Sequence, residues 1–401
     1  MYDVIIIGAG ASGLLAASNF KNSNKKILII EKNNKIGKKI LATGNGKCNF
    51  SNMIISSGNY YGSSKDFVMK IINKFDVYKT IDFFKNMGIL HRIDDNRVYP
   101  ITEQASNVVE AFKIDLKYNK IEIVYNTNII EVLKRNSFFE LKSDDNKIFK
   151  SKKIIISTGG IAYPKFGSDG SINYSIKKLG HTFTDMFPGL VQLKLRGNFF
   201  KNLKGVRVKG GISIFDGSNL IKKEIGELLF TDYGISGIAT MQISRYVHFI
   251  KNPTVSIDFF PEISENELKE YLKSRILLLK DRVLKEYFIG LINEKIIDFF
   301  LNSIKIKKDK VFQLNDNDID IIYNNLKKMT FKVEGTNDWN NAQITIGGIS
   351  LSEIDNDTLE SKIIKGLYFC GEILDVDGDC GGYNLQWAWS SGYVASMNAK
   401  K

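Results

Sequence analysis

The sequence predicts an α/β protein built on a covered parallel sheet, with a region of short antiparallel strands and a helical stretch added to it. Three observations predict this. The N-terminus reads apolar strand, glycine turn, small-residue helix, apolar strand. The stretch from Gly366 to Met397 returns to that grammar. Between them, residues 190–258 alternate apolar and polar residues with frequent Gly, and residues 262–327 show helical periodicity with Gly290 as their single glycine.

Asp3–Ile7 is a β-branched apolar run, the first strand. Gly8-Ala9-Gly10-Ala11-Ser12-Gly13 is the turn. Gly8 permits its tightness, Gly10 lets the backbone approach a pyrophosphate, and Gly13 brings helix onto strand. The phosphates of a dinucleotide then sit at the helix N-terminus. Leu14–Phe20 begins that helix, and Ile27–Ile30 is a second buried strand. It ends at Glu31, where a carboxylate accepts hydrogen bonds from ribose hydroxyls. Residues 65–117 read as mostly helical, with an irregular insert at Arg92–Pro100. Ile121–Val124 and Lys153–Ser157 are further strands, and residues 331–350 return to strand pattern.

Near the C-terminus, the strand Leu367–Cys370 leads to Gly371-Glu372, and a turn through Gly378, Gly381 and Gly382 opens a helix at Asn384. A second helix N-terminus facing the ligand suits a long, bent dinucleotide with a ribityl chain and an isoalloxazine ring. This favours FAD over NAD. No His or Cys in either turn is clearly placed for a flavin link, so the FAD is expected to be non-covalent.

Composition narrows the function classes. With 401 residues, two or three domains are expected, and 43% hydrophobic with 25% charged residues excludes a disordered chain. No apolar run reaches the roughly 18 residues of a membrane span. Cys48, Cys370 and Cys380 are too few for a disulfide framework. With His91, His181 and His248 they form no metal-ligand spacing. The first residues hold Asp3 and no basic segment, so no secretory signal is expected and the cytoplasm is the expected address. Of 56 basic residues 48 are Lys, so part of the +12 charge is compositional. Its clustering suggests more. Residues 21–47 hold eight Lys against Glu31, and residues 190–223 hold eight basic residues against Asp216. Such clusters are the usual footprint of a polyanion partner.

The blocks "VIIIGAGASGLLAA", "EKNNKIGKKILATGNGKCNFSN", "RVYP", "STGGIAYPKFGSDG", "GELLFTDYGISG", "ITIGGI" and "GLYFCGEILDVDGDCGGYNLQWAWSSG" resemble the BaiN/RdsA-type FAD flavoproteins, also described as aminoacetone-oxidase-like NAD(P)/FAD-dependent oxidoreductases. They fall in family order over essentially the whole chain. The resemblance implies a glutathione-reductase-type, Rossmann-like FAD domain from 1–188 and 337–401. It also implies an inserted β-barrel substrate domain from 189–261 and 328–336, and a small helical domain from 262–327. By position, Gly8, Gly10, Ala11, Ser12 and Gly13 are the pyrophosphate loop and Glu31 the ribose carboxylate. Lys32 and Lys39 flank the adenosine side, and Thr43, Gly44, Gly46, Lys47 and Asn49 line the flavin loop. Gly159 sits at the return strand. The resemblance makes Glu372, Asp375, Gly382, Asn384 and Leu385 the expected ribityl and flavin-edge contacts. Asp232 stands where relatives often carry His.

The resemblance further implies hydride transfer from reduced flavin to an activated C=C, with NAD(P)H the expected electron donor. One branch reduces a uridine of 23S rRNA to dihydrouridine, and another reduces small unsaturated, steroid-like molecules. A uridine needs an acid to protonate C5 after hydride reaches C6. Cys380 is the first candidate and Cys48 the second, because a thiol titrates near working pH. Cys370 reads as core. The 190–223 segment favours rRNA, through Lys194, Arg196, Lys201, Lys204, Arg207 and Lys209, with Phe199, Phe200 and Phe215 interleaved as stacking faces for bases. A small-molecule reductase and a non-catalytic flavin-bearing rRNA-binding factor are the alternatives.

Overall fold

A computed structural model describes residues 1–401, which divide into two compact units, 1–188 with 339–401 and 189–338. The first unit is organised by a seven-stranded sheet. Its order runs Glu122–Val124, Ile27–Ile30, Tyr2–Ile7, Ile148–Ile156, Phe139–Ser143, Ile129–Lys134, with Leu367–Phe369 also paired to Ile148–Ile156. Tyr2–Ile7 runs parallel to both neighbours, and Leu367–Phe369 runs parallel to Ile154–Ile156. The central strands are near-continuous β-branched runs because both faces are covered, and Ile5, Ile6, Leu28, Ile29 and Ile154–Ile156 are fully enclosed.

The helix Ala11–Ser18 packs between this sheet and the 17-residue helix Tyr383–Ala399. Small residues make the approach possible. A Cβ on Gly392 would lie 2.4 Å from the Ser12 carbonyl oxygen, and one on Gly13 would lie 2.0 Å from that of Gly8. The C-terminal helix is anchored by polar side chains in the core. Gln386 Nε2 donates to Phe75 O (2.8 Å), while its Oε1 accepts from Ser51 Oγ (2.6 Å) and Thr80 Oγ1 (3.0 Å). Trp387 and Trp389 donate their indole N–H groups to Gly371 O (3.1 Å) and Phe50 O (2.9 Å). Each of these three buried side chains has its polar groups satisfied, so the helix position is specified rather than merely greasy.

The insert read as irregular at Arg92–Pro100 is a hairpin, His91–Asp94 with Arg97–Pro100. Asp95 and Asn96 both adopt positive φ (47° and 63°), the backbone of a two-residue type I′ turn.

In the second unit, six strands close into a barrel in the order Leu193–Leu195, Gly234–Ser236, Asn219–Phe230, Arg207–Asp216, Pro253–Asp258, Met329–Thr336. Helices at Glu265–Leu278, Leu284–Tyr287, Glu294–Ile304 and Asp316–Lys327 complete it. The helical stretch does not keep a core of its own. Leu272, Ile297, Phe300 and Ile322 belong to one apolar cluster with the barrel residues Ile212, Ile214, Val255 and Ile257.

Candidate active site

The glycine turn places its backbone as a dinucleotide requires. Gly8 has φ 102°, and a Cβ there would strike Ser157 O at 2.7 Å. Gly10 precedes the first helical residue, and a Cβ on it would meet no protein atom within 4 Å. That open side at a helix N-terminus is a cradle for phosphate. Beside Gly8, the buried hydroxyl of Thr158 has no hydrogen-bond partner in the protein. Glu31 is 6% exposed. Its Oε2 accepts from Ala9 N (2.7 Å), and Oε1 from Asn33 N (2.8 Å) and Asn33 Nδ2 (2.7 Å). Oε1 is filled by its two donors, whereas Oε2, with one, keeps a lone pair for a ribose hydroxyl. Ser12 donates to Cys370 O (3.5 Å), and Gly371 packs on Ser12, so the first turn and the C-terminal glycine block meet.

The loop at Thr43–Asn49 winds through left-handed residues, with Gly44, Asn45, Gly46 and Cys48 all at positive φ. A Cβ on Gly382 would lie 2.8 Å from Asn49 Oδ1, so this loop and the N-terminus of the last helix adjoin. Asn49 Oδ1 is itself buried and without a partner. Two orphaned polar atoms, one beside each glycine turn, and the open Gly10 are what an FAD running from the first turn to the second would satisfy. The residues present fit the group.

Other residues expected at the cofactor are engaged within the protein. Lys39 pairs with Glu372 Oε2 (2.6 Å), whose Oε1 accepts from Thr345 N (2.7 Å). Lys32 pairs with Asp169, and Lys47 with Glu103 (2.6 Å). Three of the eight Lys at 21–47 are therefore answered by acids from distant sequence. Asp375 accepts from Ser63 N (3.1 Å). Asn384 locks the turn, accepting from Gly378 N and donating to Gly378 O, both at 2.8 Å. Gly159 (φ 75°) lies against Ser168, and Leu385 is half-buried in the core.

The cysteines separate by burial. Cys48 is fully enclosed, and burial pushes its thiol up to about 12 against a hydrogen bond with Thr43. It has no route to a substrate, so its expected role as proton donor is corrected to packing. Cys370 is likewise enclosed, one residue past the strand Leu367–Phe369. Cys380 is partly exposed. Burial raises its thiol pKa, Arg97 opposes that, and Asp379 adds to it. A thiol held high stays protonated at neutral pH, as an acid must.

In the second unit, two of the three stacking faces expected for bases are taken up: Phe200 is buried, and Phe199 stacks on Phe299 with ring centroids 4.0 Å apart. Phe215 is half-buried. Lys204 pairs with Asp232 (2.9 Å) and Arg207 with Glu227 (2.6 Å), both acids lying just beyond the basic segment. Asp232 is thus an exposed ion-pair partner rather than a buried acid. Lys194, Arg196, Lys201 and Lys209 remain exposed and outside any ion pair.

Fold and site together define a Rossmann-type flavoprotein of the oxidoreductase class. Residues 2–398 match the family model of the HI0933-like protein Rossmann domain, and the chain belongs to that family. It is 34% identical over 98% of both chains to a 3-dehydro-bile acid delta(4,6)-reductase of Clostridium scindens. It is 28% identical to the ribosomal RNA dihydrouridine synthase of Escherichia coli, over 99% of this chain and 98% of that one. A 3-ketosteroid delta1-dehydrogenase structure from Sterolibacterium denitrificans shares the fold, with TM-score 0.55 and 12% identity over 100% and 99% of the chains. No helix is long and apolar enough to cross a membrane.

Thr158 and Asn33 escaped the sequence reading. Thr158 lies within the quoted "STGG" block, but nothing in the spacing shows that its hydroxyl lacks a partner. Asn33 follows Glu31 closely enough to serve it, and that proximity was the available signal.

Proposed function

We propose that this protein reduces a C=C bond conjugated to a carbonyl, and that its substrate is a uridine of 23S rRNA. Bound FAD, once reduced, supplies a hydride to such a bond. The reaction class is supported by full-length similarity to proteins whose names describe reduction of a bile acid and of a uridine. The choice of RNA is carried by one observation: four exposed cations, Lys194, Arg196, Lys201 and Lys209, stand outside any ion pair.

The geometry supports the following roles. Gly10 and the first helix N-terminus hold the pyrophosphate, with the Thr158 hydroxyl beside it. Glu31 takes the ribose, and Asn49 and Gly382 hold the flavin side. Cys380 delivers the proton to the carbon next to the carbonyl. NAD(P)H is the proposed electron donor. The test is dihydrouridine mapping by mass in 23S rRNA from cells with and without the gene, with Cys380→Ala as the chemical control.

The greater identity to the bile acid reductase favours a second reading, a small unsaturated steroid-like substrate. Turnover of a 3-oxo-4,6-diene steroid in the absence of RNA, insensitive to salt, distinguishes it.

A further inference from the structure

The block Arg97-Val98-Tyr99-Pro100 enters neither the cofactor cradle nor the proton donor. Its strand nevertheless abuts the C-terminal glycine turn. Arg97 and Asn52 are register partners. Asn52 Nδ2 donates to Gly381 O (3.0 Å), and a Cβ on Gly382 would lie 2.3 Å from Ser51 O. Val98 and Pro100 are buried and fix the strand, leaving Arg97 half-buried.

The Arg97 guanidinium makes no ion pair or hydrogen bond within the protein. Its neighbour Arg92 behaves differently, pairing with Glu103 (2.5 Å). Asp379, on the same turn, is already engaged by Tyr61 Oη (3.0 Å) and Asn59 Nδ2 (3.3 Å). The charge of Arg97 still reaches this turn, where it opposes the upward push of burial on Cys380 and Tyr383. A partly desolvated cation with five unanswered donors calls for an oxygen acceptor from outside the chain.

We propose that Arg97 is a catalytic residue that binds the substrate carbonyl oxygen and holds the negative charge collecting there during reduction. This rests on the reductase reading above. The step balances as follows. Hydride adds to the carbon β to the carbonyl, forming a C–H bond as the C=C π bond breaks. The displaced pair moves to the carbonyl oxygen, giving an enolate against the guanidinium. A proton from the Cys380 thiol adds at the α carbon and restores the carbonyl, and water reprotonates the thiol. Two electrons leave the reduced flavin. A guanidinium suits the role because it stays charged and offers a planar pair of donors. Donors already aimed at developing charge need no reorganisation.

The test titrates flavin-loaded protein with para-chlorophenolate, an oxyanion that gives a long-wavelength band when stacked on oxidised flavin. Wild type should show the band. Arg97→Lys should bind about ten-fold more weakly and Arg97→Ala about a hundred-fold or more, at equal flavin content. A second arm follows oxidation of pre-reduced enzyme by dihydrouridine-free 23S rRNA and by a 3-oxo-4,6-diene steroid. Arg97→Ala should slow the saturated rate roughly a hundred- to a thousand-fold with whichever probe wild type reduces. Should Arg97→Ala misfold, Arg97→Lys and Arg97→Gln carry both arms. The proposal is overturned by equal phenolate affinity in wild type and variants, by absence of the band in wild type, or by loss of flavin in place of loss of oxyanion affinity. If neither probe oxidises wild type, the reductase reading fails and the phenolate arm still judges Arg97.

Discussion

Glu31 concentrates the account at the scale of one residue. Its carboxylate orders Ala9 and Asn33 and is proposed to take the ribose. Glu31→Ala should leave the strand Ile27–Ile30 in place, because apolar burial holds it. Loss of a charge-assisted hydrogen bond costs about 1.5–3 kcal/mol, which is roughly ten- to a hundred-fold in FAD affinity. Flavin occupancy after dialysis measures this, and unchanged occupancy would contradict the assignment. A second residue-scale prediction concerns His181, which is 2% exposed. Its Nδ1 lies 3.0 Å from Glu353 Oε2, and its Nε2 lies 2.9 Å from Ser361 Oγ. The order Ser, His, Glu matches a hydrolase triad, but the Ser361 oxygen already accepts from Ile363 N (3.0 Å) and Ile364 N (2.9 Å). The hydroxyl therefore donates to Nε2 and braces a loop. Burial holds the His181 pKa below its ordinary 6.5, with Glu353 partly opposing. A depressed histidine contributes stability above its unfolded value, and that stability is lost as pH falls through the folded one. Thermal melts should thus show wild type losing more Tm than His181→Gln between neutral pH and the lower side of the histidine range. Parallel losses would remove His181 from the account.

At the scale of elements, Gly10 and Gly13 lie three residues apart and should fail differently. Gly13→Ala puts a methyl 2.0 Å from the Gly8 carbonyl oxygen, so it should destabilise the protein itself, with or without flavin. Gly10→Ala meets no protein atom, so its melt without flavin should match wild type while FAD retention falls. Thermal melts with and without FAD separate the two, and equal destabilisation would refute the cradle. These elements were legible because glycine spacing and unbroken β-branched runs are local signals. The hairpin His91–Pro100 was not. His91–Asp94 is exposed along most of its length, Ile93 included, so no apolar–polar alternation marks it. Its turn, Asp95-Asn96, was present as a signal and went unread. Partners distant in sequence were invisible too. Nothing in a basic run reveals that Asp232 and Glu227 fold back onto Lys204 and Arg207. Nothing in a spacing of thiols shows that Cys48 is enclosed while Cys380 is reachable.

For the whole molecule, the question is whether the substrate is a polyanion. Neutralising Lys194, Arg196, Lys201 and Lys209 together should weaken RNA binding at every sequence, because phosphate contacts carry affinity and little base information. Each lost contact should flatten the log–log salt dependence by roughly 0.7–0.9, with flavin content unchanged. An unaltered slope would turn the reading toward the small-molecule reductase. The most direct measurement is a reconstitution with flavin-loaded protein, NAD(P)H and 23S rRNA from cells lacking the gene, read by mass mapping of the RNA. The account predicts a two-hydrogen mass gain at a uridine with wild type, and sharply less with Cys380→Ala. RNA left unreduced by the wild-type enzyme, alongside turnover of a 3-oxo-4,6-diene steroid, would contradict it.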